Sequence, residues 1–172
     1  ITELDPDGYR IDLLSFAAQY AKTREIFEFI WTKIKIILKN EESLKELLLL
    51  CGYDGFNALE TSARCRNEHS FKYLLENVFC EHFEFKDFIY ETIYSPKNFL
   101  EFLVEYSSTS IIIYFSKILK ERLSSVELKD FLMKEGFKGK NLLHLAAENM
   151  SNVDLIKFLA NFIESEIGIE KL

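Results

Sequence analysis

The chain has 172 residues, with 21 Lys plus Arg against 28 Asp plus Glu. Its net charge of −7 repels nucleic acid and anionic lipid, so neither is expected as a partner. With 48% hydrophobic residues but only 2 Pro and 6 Gly, the chain is expected to be folded and mostly helical, which disfavours a turn-rich β sandwich and enzymes built on Gly-rich loops.

The first residues, Ile1-Thr2-Glu3-Leu4-Asp5, lack the basic end and apolar stretch of a secretory leader. The chain opens on Ile rather than Met, which suggests a piece of a longer protein. Runs such as Ile111-Ile112-Ile113-Tyr114-Phe115 are core-sized, well short of the roughly 20 apolar residues that span a bilayer. Membrane insertion is therefore not expected. The cysteines, Cys51, Cys65 and Cys80, are odd in number and not closely paired. That pattern suits a reducing, intracellular and cytoplasmic setting better than a disulfide framework.

Helices are expected to begin near Leu13, Ala58, Phe99 and Leu142. Each follows a short polar side chain (Asp12, Asn57, Asn98, Asn141) whose oxygen can accept from the free amides of a first helical turn. A second helix follows in each segment. Phe71, Leu74, Leu75, Val78 and Phe79 form an amphipathic stripe, matched by Leu155, Phe158, Leu159, Phe162 and Ile163. A third, short helix is suggested by two capping-box patterns, Ser43-Leu44-Lys45-Glu46 and Ser124-Ser125-Val126-Glu127.

These elements recur. Lys45 to Asn57, Lys86 to Asn98 and Lys129 to Asn141 are each 12 residues, and the copies are spaced by 41 and then 43 residues. Ala63, Val104 and Ala147 share one register position; Phe71, Ile112 and Leu155 share another; Leu74, Phe115 and Phe158 a third. Stepping back 45 residues reaches Ala18, Ile26 and Phe29, an N-terminal copy. Four units follow, approximately 8–52, 53–93, 94–136 and 137–172. No unit of this size buries its apolar faces alone, so a stacked helical solenoid is expected, with most of the 16 Phe side chains between layers.

Gly139-Lys140-Asn141-Leu142-Leu143-His144-Leu145-Ala146-Ala147 resembles the ankyrin signature, G-x-T-P-L-H-x-A-A. Gly55, Leu59, Ser62, Ala63 and Leu74-Leu75 resemble it in the second unit, as do Pro96, Leu100, Leu103 and Val104 in the third and Leu14, Ala17 and Ala18 in the first. The fold class expected is all-α, an ankyrin-like helical repeat solenoid. The units exceed the family's length of about 33 residues. The excess lies where the family makes its hairpin, so an extra short helix per unit is expected there, and a three-helix solenoid resembling armadillo repeats is the alternative.

The resemblance implies a structural hydrogen bond for His144, and a partner protein bound on the concave face of the array. By position, the implied partner-binding residues are Tyr9, Arg10, Gln19 and Tyr20; Tyr53, Asp54, Phe56 and Arg64; Lys97, Glu105 and Tyr106; and Lys138, Lys140, Glu148 and Asn149. Tyr20, Arg64 and Tyr106 are favoured for recognition, being residue types that anchor interfaces. Tyr53, Tyr94 and Phe137, an aromatic repeated ahead of the Gly position, are read as packing residues.

Other chemistry finds little support in the sequence. Cys65-x3-His69 followed by Cys80-x-His82 fits no familiar zinc framework, and Cys80 reads as a small core residue. No nucleophile elbow or phosphate-cradling loop is present, so neither an enzyme nor a cofactor is expected. Glu41-Glu42 reads as a solvated pair, and Lys117, Lys120 and Arg122 as a basic patch diluted by Glu121. The expected function is a non-catalytic protein-interaction module. The alternative is a structural or regulatory segment of a larger effector, toxin, channel or enzyme, contacting its own chain.

Overall fold

A computed structural model describes residues 2–4, 10–52, 55–90, 97–134, 139–149 and 153–168, with side chains from Leu13 onward in these spans, Asn149 excepted. The chain divides into two compact units, Ile1–Phe85 and Lys86–Leu172. The regular elements among the described residues are helices apart from a short antiparallel strand pair, β1 (Thr2–Leu4) and β2 (Arg10–Asp12), in register Thr2 to Asp12. Nothing in the hydropathy pattern marks these three-residue strands.

In the first unit α1 (Leu13–Tyr20), α2 (Arg24–Ile37) and α3 (Glu41–Leu49) are followed by α4 (Ala58–Arg64) and α5 (Glu68–Leu74). A π-helical turn, Leu75–Phe79, carries the chain into α6 (Cys80–His82). The core is a layered set of apolar side chains, with Leu14, Ala18, Phe27, Trp31, Leu59, Phe71 and Leu74 all essentially inaccessible to solvent. α1 packs on α4 and α2 on α5. The small side chains Ala17, Ala18, Ser62 and Ala63, all buried, let the first pair approach closely. Asn67, the cap of α5, ties these layers together. Its Oδ1 accepts from Ser70 N–H, while its Nδ2 donates to the carbonyls of Ala18 at 3.1 Å and Ala21 at 2.7 Å.

The second unit opens with α7 (Phe85–Ile89), which spans the division, and continues through α8 (Phe99–Tyr106), α9 (Thr109–Arg122), α10 (Ser125–Met133), α11 (Leu142–Asn149) and α12 (Val153–Ile167). Phe99, Leu100, Ile112, Phe115, Phe131, Leu155 and Leu159 are buried. Phe99 meets Phe115 edge-on at 5.2 Å and Tyr90 meets Phe131 at 5.4 Å, geometries that aromatic quadrupoles favour.

The first helices of all four segments begin at Leu13, Ala58, Phe99 and Leu142, as the caps predict. A third helix follows the second in three segments, as α3, α7 and α10. The predicted apolar stripes are largely core: Phe71 to Phe79 throughout, and Leu155, Leu159, Phe162 and Ile163 in α12, with Phe158 half-buried.

Two sequence expectations are corrected. Ile26 and Phe29 are not core; they are 46% and 62% exposed, while their neighbours Phe27 and Trp31 are buried. The reason is one extra residue. Asp12 to the helix-two cap Thr23 is 11 residues, but Asn57 to Asn67 and Asn98 to Ser108 are each 10. The spacing of 45 that holds in helix one therefore becomes 44 in helix two, and the inward face rotates by one residue. The second correction concerns α3. Its cap is Asn40, whose Oδ1 accepts from Ser43 N–H at 2.7 Å, so Ser43 lies inside the first turn.

Candidate interaction surface

The first helices of the last three repeats, α4, α8 and α11, are anchored by their caps. In Asn57/Glu60 and Asn98/Glu101 the Asn Oδ1 accepts from the Glu amide, and the Glu carboxylate accepts from the Asn amide, all at 2.8–2.9 Å. These carboxylates are buried, only 2% exposed each. Burial pushes the Glu101 carboxyl above its ordinary range, opposed by the Asn98 amide and the positive charge of Lys97. Ser124 and Glu127 make the same box at α10, as predicted.

The box fixes where the lead-in residue, one before the cap, lies relative to the residue seven after it, two helical turns on. In three repeats these two positions are paired. The Arg64 guanidinium lies 4.9 Å from the centre of the Phe56 ring. Lys97 forms an ion pair with Glu105, and its ammonium lies 5.9 Å from the Tyr106 ring centre. Lys140 donates to both Glu148 oxygens at 2.8 and 2.6 Å. The corresponding late position in the first repeat is Gln19, which is exposed.

Thus six of the sequence-predicted partner residues are brought together in pairs. The expectation of free exposure is corrected for Phe56, which is half-buried, and for Lys97 and Glu105, whose side chains are only 13% and 21% exposed. Tyr20 is 57% exposed and packs on Phe16 with ring centres 4.7 Å apart. Tyr106 is 36% exposed and packs on Phe102 at 5.1 Å. Tyr9, Tyr53, Asp54, Tyr94, Phe137 and Lys138 lie outside the described residues, as do the side chains of Arg10 and Asn149. The pairing was missed in the sequence, although a constant spacing of eight residues between Lys and Glu was there to find it.

Glu41 is not simply solvated. Its Oε1 accepts from Nδ1 of His82 at 2.8 Å, and the ring is almost fully buried, edge-on to Trp31 at 5.6 Å. That hydrogen bond holds the Glu41 carboxyl below its ordinary range. The basic patch is neutralised locally, with Lys117 3.7 Å from Glu121 and Lys120 paired with Glu166. Cys80 is half-buried rather than core. Among the described residues no three His, Cys, Asp or Glu side chains are grouped to hold a metal ion, and no helix is long and apolar enough to cross a membrane. No protein-family model, curated protein or solved structure matches this chain.

Proposed function

We propose that the chain is a non-catalytic protein-interaction module of ankyrin-like repeats. It meets a partner protein through the first helices of its repeats and the loops leading into them, the concave side of an ankyrin-like array. The observation supporting this reading is the recurrent cap-anchored pair, Phe56/Arg64, Lys97/Glu105 and Lys140/Glu148. It holds rotamer-rich side chains in place before any partner arrives, which lowers the entropy cost of binding. Exposed Tyr20 and Tyr106 stand beside these positions, rigid amphipathic rings of the kind that anchor interfaces.

The test is capture from extract of the source cells with three baits: the chain itself, a Tyr20→Ala/Tyr106→Ala variant, and an Ile113→Ala control on the exposed side of a second helix. A protein held by the first and third baits and lost by the second is the expected result, with all three equally helical by circular dichroism. Equal retention by all three moves the site to another face. No retention favours a segment that serves its own parent chain.

A further inference from the structure

Arg66 holds a backbone conformation that an arginine adopts only at a cost. Its φ is +57°, the one positive φ at a residue other than Gly among the described residues. The cause is the way α4 ends. Arg66 N–H donates to the Ala63 carbonyl at 3.0 Å and Asn67 N–H to the Ser62 carbonyl at 2.9 Å. That closure turns the residue after the cap left-handed, a place where Gly or Asn is least strained. Nothing among the described residues offsets the strain through the Arg66 side chain, which is exposed and makes no ion pair or hydrogen bond there. Arg64 already stands in the last turn of α4, where a cation complements the carbonyl end of the helix.

A second turn is fixed beside this one. Asn67 Nδ2 donates to the Ala21 carbonyl at 2.7 Å, which holds the turn leaving α1 against the turn leaving α4. Lys22 follows Ala21 and Arg66 precedes Asn67, so an exposed cation adjoins this hydrogen bond on each strand of chain. Lys22, like Arg66, has no ion-pair partner among the described residues. Arg24 and Arg64, each two residues from one of these cations, are exposed as well. Their guanidinium groups are oriented by rings, 5.6 Å from the centre of Tyr73 and 4.9 Å from that of Phe56. Two acids stand among the four cations. Glu68 lies 3.6 Å from Lys72, and the Glu25 carboxyl is held below its ordinary range by Thr23 first and more weakly by Arg24. The matching turn of the second unit, Ser107-Ser108 between α8 and α9, carries no charge.

Four cations on two adjoining turns stand out in a chain of net charge −7, and a strained residue kept at such a place points to a use for its side chain. Guanidinium groups match carboxylates in a forked, charge-assisted geometry. The acidity of the whole chain works against a long polyanion such as nucleic acid, but little against a short acidic stretch confined to the patch. We propose that Lys22, Arg24, Arg64 and Arg66 receive an Asp- and Glu-bearing segment of the partner protein, with Arg66 as its central contact. This rests on the protein-interaction reading above and names the chemistry of the partner.

Fluorescence anisotropy of labelled octaglutamate with the full chain tests the patch, with octaglutamine and a short oligo-dT as comparisons. Octaglutamate should bind in preference to both, and more weakly as salt is added. Arg66→Asn should weaken it about threefold, the size of one exposed charge pair, and Lys22→Gln/Arg66→Asn about tenfold. Lys157→Gln, an exposed cation on α12, should leave it unchanged. Asn tolerates the left-handed conformation, so the unfolding midpoint of Arg66→Asn should equal or exceed that of the native chain while its binding falls. Equal binding of octaglutamate and octaglutamine, or equal binding by the native chain and the double variant, overturns the proposal. Preference for oligo-dT overturns it in favour of nucleic acid. The double variant is then used as bait in source-cell extract. A protein held by the native chain and lost by the double variant is expected. Equal retention by the two leaves the interaction reading in place and overturns the acidic segment. Retention of nothing by either counts against the interaction reading itself, and the partner segment falls with it.

Discussion

Asn141 and His144 close the first turn of α11 on each other: Asn141 Oδ1 accepts from His144 N–H at 3.0 Å, and His144 Nδ1 accepts from Asn141 N–H at 3.3 Å. The imidazole occupies the place that Glu60 and Glu101 fill in the preceding repeats. It accepts only as the tautomer whose proton is on Nε2. A neutral ring is a weaker acceptor than a carboxylate and brings no negative charge to the positive end of the helix. His144→Glu is therefore expected to raise stability by about 0.5 kcal/mol at neutral pH. Urea unfolding checks this, and an unchanged or lower midpoint contradicts it.

Glu101 is a capping group whose burial raises its carboxyl pKa. The sign follows from linkage: the folded state binds the proton more tightly than the unfolded one. The stability this contributes is present below the unfolded value of about 4.3 and is lost as pH rises through the raised folded value. Glu101→Gln keeps an oxygen for the Asn98 amide without the charge. Glu101→Ala removes the same titrating group. The stability of both variants relative to the native chain should therefore rise with pH across that range, with Glu101→Ala lying about 1 kcal/mol below Glu101→Gln throughout from the lost cap. Unfolding midpoints from pH 4 to 8 separate the two variants.

Glu127 has the opposite sign. Hydrogen bonds from Lys86 and from the side chain and backbone of Ser124 lower its pKa to about 2. This contribution is present above about 4.3 and disappears as pH falls toward 2. The native chain should exceed Glu127→Gln in stability at pH 6, and the two acid-unfolding curves should converge near the bottom of that window. A constant gap would assign the effect to packing.

Removing the Glu41 carboxylate leaves the His82 ring N–H without its acceptor in an almost fully buried site. An unmade buried hydrogen bond costs more than a lost solvent-exposed one. Glu41→Ala should therefore lower the thermal midpoint more than Glu42→Ala, one residue along the same exposed helix start. Equal midpoints would show that the His82 contact contributes nothing measurable.

The local and repeated features are legible in the residues alone: helical class, the four first-helix starts, the box at Ser124, and the core stripe from Phe71 to Phe79. These depend on contacts three or four residues apart, or on a register that three copies state in common. Tertiary structure decided what depends on which surface lands on which. The single extra residue between Asp12 and Thr23 turned Phe27 and Trp31 inward and Ile26 and Phe29 outward, a rotation that apolar residues on both sides of α2 conceal from pattern reading. Tertiary packing also joined His82 to Glu41 across 41 residues, and drew Phe56 to Arg64 and Lys97 to Glu105. In each case the sequence supplies side chains with partners of several kinds within reach, and only the packed chain selects one.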